Sequence, residues 1–208
     1  AKDIRMMVVY GYARLVAYTE NYELVPDILK TVDVVDGRRF TFHLRKGHRW
    51  SDGKPFTTED FRYYWEDVAN NRMLSPVGPP RAMLVNGRKP VFEVLNETTV
   101  RFSWAQPNPD FLPALAGPRP LYIYRPAHYL KRLHQRYADP GKLKRKVAKS
   151  GRRNWAALHN RKDNQYKNDN PKLPTLQPWT TRTKPPAQRF VFARNPYFHR
   201  VDAKGRQL

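Results

Sequence analysis

Between Arg39 and Val68 the hydrophobic and polar positions change period, and the elements on either side take their places from that stretch. Phe40, Phe42 and Leu44 alternate with Thr41, His43 and Arg45, the period-two pattern of a strand with one buried and one wet face. Asp52-Gly53 tolerates positive φ, Pro55 restricts the approach, and Thr57 can accept from the free amide hydrogens of a helix that Glu59 and Asp60 favour through its dipole. The helix is predicted to begin at Thr58. Phe61, Trp65 and Val68 then recur at i, i+4 and i+7, Tyr64 widens the stripe, and Asn70-Asn71 ends it.

Upstream, the apolar run Met6 to Tyr12 reads as a strand central in its sheet, continued by Arg14 to Tyr18. Leu24 to Leu29 is an extended or short helical segment, and Thr31 to Val35 is predicted to pair with Phe40 to Leu44 across Asp36-Gly37. Downstream, Ser75 to Pro80 is a loop, and Val91 to Leu95 forms a hairpin with Thr98 to Trp104 around Asn96-Glu97. Helices are predicted over Pro109 to Leu115, Pro126 to Tyr137 and Gly141 to Lys149, with a helical turn at Trp155 and Leu158. Asn160 to Pro174 reads as loop and Thr175 to Pro186 as an extended connection. Gln188 to Arg194 reads as a strand with Phe190 and Phe192 inward, closed by Asn195-Pro196. Hairpins, short helices and long loops together fit an α+β fold.

Charge changes the picture. The 208 residues carry 39 Lys and Arg against 18 Asp and Glu, a net charge of +21. Residues 131–162 hold twelve basic residues and one acidic one, so the excess is concentrated there. Such a field attracts polyanions or anionic lipid at long range. Lys142, Lys144, Arg145, Lys146, Lys149, Arg152 and Arg153 are the candidate contacts for a polyanion, either nucleic acid or anionic lipid. The absence of cysteine closes disulfide and thiolate chemistry. No apolar run approaches the roughly 20 residues that span a bilayer, so no transmembrane segment is expected.

No catalytic constellation is legible. His43, His48, His128, His134, His159 and His199 make no metal-ligand pair at helical spacing, and no Gly-rich phosphate loop or nucleophile elbow is present. Glu59-Asp60 and Glu66-Asp67 are adjacent on one helix, which suits capping and solvation rather than acid-base work. A non-enzymatic chain without metal or cofactor is expected.

LVPDIL, a hairpin, and then FTFHLRKGHRWSDGKPFTTEDF closely resemble the signature region of family 5 extracellular solute-binding proteins, the peptide and nickel receptors of ABC importers. RFVFARNPY, Arg189 to Tyr197, resembles the strand and Asn-Pro turn further along that family. The resemblance implies the N-terminal portion of a periplasmic-binding-protein-like fold. Residues 1–18 and 172–208 would form part of a main lobe, and residues 19–171 an inserted α+β subdomain. It further implies a periplasmic protein that delivers a peptide-like or other polar solute to an ABC permease. By position, Tyr10, Tyr12, Arg14 and Trp179 are the candidate ligand contacts. Thr175 to Trp179 departs from the Gly-Thr-Gly-Pro-Tyr-like stretch common in the family. The alternative is a receptor-derived basic scaffold that binds RNA or another polyanion in a larger assembly.

Overall fold

A computed structural model describes residues 13–117, 121–165 and 170–207. The strand predicted at Met6 to Tyr12 lies outside them. Strand β1, Val16–Tyr18, pairs antiparallel with β2, Leu24–Pro26. Strands β3, Leu29–Val35, and β4, Arg39–Leu44, form the predicted hairpin. Asp36 at φ 53° and Gly37 at φ 62°, with Arg38 N donating to Val35 O at 3.1 Å, make the turn that matches strand twist.

The helix after the loop begins as predicted. In α1, Thr58–Arg62, the Thr57 hydroxyl accepts from Glu59 N and the Asp60 carboxylate accepts from Thr57 N, a reciprocal cap. The chain then widens into a π-helical segment, Tyr63–Ala69, closed by Asn70 N donating to Trp65 O at 3.2 Å. The wider turn lets Tyr63, Tyr64, Trp65, Asp67, Val68 and Ala69 all face the interior, more than a regular stripe carries.

Strands β5, Val91–Asn96, and β6, Thr99–Ser103, complete an antiparallel sheet in the order β3-β4-β6-β5. Its inner face aligns Val32, Phe42, Val100 and Val94 in one row and Val34, Phe40, Phe102 and Phe92 in the next. Its outer face carries a polar ladder, Asp33, Thr41, Arg101 and Glu93. Thr41, expected on a wet face, is buried because Arg101 Nε donates to its hydroxyl at 3.2 Å and lies across it. His43 meets Asp33 at 2.8 Å on the same face.

Helix α2, Phe111–Ala116, drives Phe111 into the sheet, stacked on Phe42 at 5.8 Å and edge-on to Trp104 at 4.8 Å. The segment from Leu121 to Tyr124 forms no regular element, yet its aromatics are core residues. Tyr122 and Tyr124 are both buried, and Tyr124 packs on Trp50, Phe56 and Phe61. The cause is Asp60, whose Oδ1 accepts from Ala127 N at 2.9 Å and whose main-chain oxygen accepts from Arg125 N at 3.0 Å.

The two adjacent acid pairs are therefore split, contrary to the solvated role expected of them. Asp60 and Asp67 are each 3% exposed, whereas Glu59 and Glu66 stay nearer solvent as partners of Arg62. Burial pushes the Asp60 pKa up to about 7 against three hydrogen bonds that pull it down. Asp67 collects Tyr137 Oη at 2.6 Å and Arg136 Nη1 at 3.0 Å. That attachment explains why the predicted helix from Pro126 to Tyr137 is cut short. Helix α3, Ala127–Leu130, runs into one 3₁₀ turn, Lys131–Leu133, and the backbone turns extended at His134, bringing Arg136 and Tyr137 to Asp67.

Helix α4, Pro140–Ser150, is capped by Asp139 and stopped by Gly151 in the left-handed region. Helix α5, Trp155–Asp163, runs past Asn160, where a loop was expected, because Asp163 is anchored at 2.6 Å by Arg125. The return segment holds β7, Trp179–Thr181, paired with β8, Phe192–Arg194. Strand β8 is shorter than predicted, and Phe190 and Phe192 are half-buried rather than inward. Among the described residues no helix is long and apolar enough to cross a membrane.

Candidate functional site

The two ends of the described chain meet in a seam beside the sheet. Gln177, 3% exposed, donates from Nε2 to Ala13 O at 2.9 Å and accepts at Oε1 from Ala13 N at 3.2 Å. One side chain thus replaces a strand neighbour for Ala13. Gln177 is itself held by Asn195, which is fully buried and donates from Nδ2 to Gln177 O at 2.9 Å. Asn195 Oδ1 also accepts from Tyr197 N at 3.0 Å, the side-chain turn that an Asn before Pro favours. Ser51 and Thr175 tie the turn before α1 to this connection, with Ser51 N donating to Thr175 O at 3.0 Å.

Asp27 closes the seam at its other end. Its carboxylate accepts from Arg14 N at 2.9 Å, His199 Nε2 at 2.8 Å, and Arg200 Nε and Nη2 at 3.0 and 2.8 Å. Burial raises its pKa, but the bonds from His199, Arg200 and Arg14 outweigh burial and bring it down to about 2. Next to it lies a pocket of about 520 Å³ lined by Arg45, His48, Arg49, Tyr197, His199 and Gln207, among others. Among the described residues neither ring nitrogen of His48 has a hydrogen-bond partner, and burial, helped by the charges of His199 and Arg45, lowers its pKa to about 4.

The residues predicted from sequence fall as follows. Tyr10 and Tyr12 lie outside the described residues. Arg14 sits at the seam, with Nε donating to Gly117 O at 3.0 Å at the end of α2. Trp179 follows Gln177 by two residues and is 36% exposed, so Arg14 and Trp179 lie on segments that Gln177 holds side by side. Lys142, Lys144, Arg145, Lys146, Lys149, Arg152 and Arg153 are exposed on and just after α4 and are not part of the seam. The turn at Asn195-Pro196 was legible in the sequence. Asp27, Gln177 and His199 carried no local signal, because the bonds that join them across the seam, Ala13–Gln177 and Asp27–His199, span more than 160 residues. Among the described residues no group of three His, Asp or Glu could hold a metal ion.

The seam joins a first segment, a return strand and an Asn-Pro turn into one wall. Residues 23–207 match the family model of the bacterial extracellular solute-binding proteins, family 5 middle region. The chain belongs to this family. The periplasmic alpha-galactoside-binding protein of Rhizobium meliloti is 29% identical over 195 residues, 91% of this chain and 25% of that protein. The periplasmic oligopeptide-binding protein OppA of Escherichia coli is 25% identical over 130 residues, 57% of this chain and 24% of that one.

Among solved structures, an oligopeptide-binding protein OppA superposes with a TM-score of 0.85 at 32% identity, covering 98% of this chain and 31% of that one. The periplasmic binding protein MelB of Agrobacterium fabrum, in complex with stachyose, gives 0.70 at 26% identity, covering 98% and 29%. This family 5 chain therefore spans about a quarter to a third of the length of the relatives it matches. Its α+β architecture is that of part of a periplasmic-binding-protein-like fold.

Proposed function

We propose that this chain supplies one wall of the solute cleft in a receptor of an ABC importer, binding a peptide, oligosaccharide or similar polar solute without converting it. The observation that carries the reading is the Gln177 bridge, which sets Ala13 and Arg14 beside the strand bearing the half-exposed Trp179. An aromatic face next to main-chain and guanidinium donors suits a solute with both rings or apolar stems and polar edges. Residues 1–18 and 172–208 supply this wall in the proposal, and residues 19–171 form the subdomain that braces it. Tyr10, Tyr12, Arg14 and Trp179 are the proposed contacts, an ABC permease is the proposed partner, and the periplasm is the proposed location. The names of the relatives, which include alpha-galactoside and oligopeptide receptors, support this class of solute.

In receptors that close about a hinge, affinity comes from two walls. Calorimetry of the 208-residue chain against stachyose and against mixed oligopeptides is expected to show no saturable heat. Dissociation constants of about 1 μM, close to −8 kcal/mol, from this chain alone would overturn the one-wall reading. In a form that binds solute, Trp179→Ala is expected to weaken binding about fivefold to tenfold. Unchanged affinity would remove Trp179 from the site.

A further inference from the structure

Cations on this chain are mostly paired where acids are near. Arg62 takes Glu59, Glu66 and Asp67, Lys131 takes Glu59, Arg125 takes Asp163, and Arg200 takes Asp27. Helix α4 is different. Lys142, Arg145, Lys146 and Lys149 stand at i, i+3, i+4 and i+7, so they share one side of the helix. Leu143, buried, and Val147, half-buried, occupy the other side and hold α4 to the protein. Gly151 at φ 63° then turns the chain and leaves Arg152 and Arg153 exposed beyond the helix end. Among the described residues none of these six cations forms an ion pair. The single acid of residues 131–162, Asp139, is committed to capping Lys142 N at 2.7 Å.

We propose that the outer face of α4, together with Arg152 and Arg153, docks on an anionic phospholipid surface. The proposal rests on the receptor reading for one point, that the chain works beside a membrane. Charge complementarity supplies the rest, since each Lys or Arg near an anionic bilayer adds attraction that salt screens within a Debye length. The apolar residues of α4 face the protein and are not free to insert, so the contact is electrostatic and reversible. Nucleic acid fits less well, because single-strand binding needs exposed aromatic platforms. Trp155 is packed edge-on against His134 at 4.7 Å, and Tyr137 is bonded to Asp67 with Lys131 and Arg136 over its ring.

The test is co-sedimentation of the full 208-residue chain with phosphatidylcholine vesicles, with and without phosphatidylglycerol, at low and high salt. Binding is expected only with phosphatidylglycerol and only at low salt. Lys142→Glu, Arg145→Glu, Lys146→Glu and Lys149→Glu together are expected to lower the partition coefficient by about tenfold or more. The same charge change at four exposed positions elsewhere, Lys30→Glu, Arg39→Glu, Lys46→Glu and Arg88→Glu, is expected to cost no more than about threefold. Should charge reversal unfold α4 by circular dichroism, the four Gln substitutions at the same positions answer the question. Equal losses in both sets, equal binding to pure phosphatidylcholine, or no binding at low salt overturns the proposal. So does α4-dependent binding of an RNA oligonucleotide without vesicle binding. None of these outcomes depends on solute affinity, so they leave the receptor reading to its own experiment.

Discussion

Replacing Asp27 by Asn tests whether a single carboxylate fastens Arg14 to the segment carrying His199 and Arg200. The substitution keeps the side chain's shape and one carbonyl oxygen, and removes the charge that draws in His199 and Arg200. The native pKa of about 2 against an ordinary value of 3.8 corresponds to about 2 kcal/mol of stability at neutral pH, from 1.36 kcal/mol per unit. Because this acid's pKa is depressed by folding, that stability is present above about pH 4 and is lost as pH falls through 2.

Asp27→Asn also turns an N–H₂ group toward donors that previously met an oxygen, which adds about 1 kcal/mol or more. Urea unfolding at neutral pH is therefore expected to show a loss of about 2–4 kcal/mol, a large share of the 5–15 kcal/mol typical of a domain. The wild-type lead should shrink by about 1 kcal/mol at pH 3, where the unfolded carboxyl is already mostly protonated. A loss below about 0.5 kcal/mol, or a lead that does not change between pH 7 and pH 3, refutes the idea that an ionised Asp27 holds the seam.

Other perturbations reach the seam and the subdomain beside it. His48 is buried neutral with a pKa near 4 against 6.5, so it contributes stability that is complete above about pH 6.5 and is lost as pH falls through 4. His48→Leu is expected to remove up to about 3 kcal/mol of acid sensitivity, measured as the change in unfolding free energy between pH 7 and pH 4. Gln177→Ala leaves the Ala13 amide and carbonyl without partners, at about 1–3 kcal/mol, and hydrogen exchange at residues 13–18 should accelerate while that of β4 and β6 does not. Thr57→Ala is expected to cost about 1 kcal/mol in thermal unfolding, within the usual range for a lost cap. A change above about 3 kcal/mol there would mean that the Thr57 side chain does more than cap.

Local chemistry was readable wherever a few adjacent residues determine the outcome. Asp36-Gly37 specifies its turn through two positive φ angles, and Thr57 specifies a helix start through one hydroxyl. The Phe40, Phe42 and Leu44 alternation gave the inner face of the sheet, and the motif order gave the family. The π-helical segment was not readable, because its cause is the demand of Tyr63, Tyr64 and Trp65 for burial at once, which only the surrounding core imposes. Asp60 and Asp67 looked like solvated helix acids, since the donors that bury them, Ala127, Arg136 and Tyr137, come from segments some 70 residues on, beside the local donors Thr57, Trp50 and Arg62. For the candidate site the limit is the same. Trp179 and Arg14 were chosen by position within the family pattern, whereas Gln177 and Asp27, which bring their segments together, have no sequence signature at that separation.

The separation along the chain between the groups that make the seam has a consequence for folding order. The sheet is assembled from neighbours, β3 with β4 and β5 with β6, whose hairpins close short loops. The Ala13–Gln177 and Asp27–Arg200 contacts close loops of 164 and 173 residues. Loop-closure entropy grows with the logarithm of length, and long-range contacts repay it only after the intervening chain is ordered. The seam is therefore expected to form after the hairpins and to exchange its amide hydrogens sooner than they do. A partial opening there would part the first segment from the return strand and leave the aromatic core around Phe42, Phe102 and Phe111 in place. If the seam is the proposed wall, the proposed site is then the most compliant part of the molecule and the sheet beside it the least.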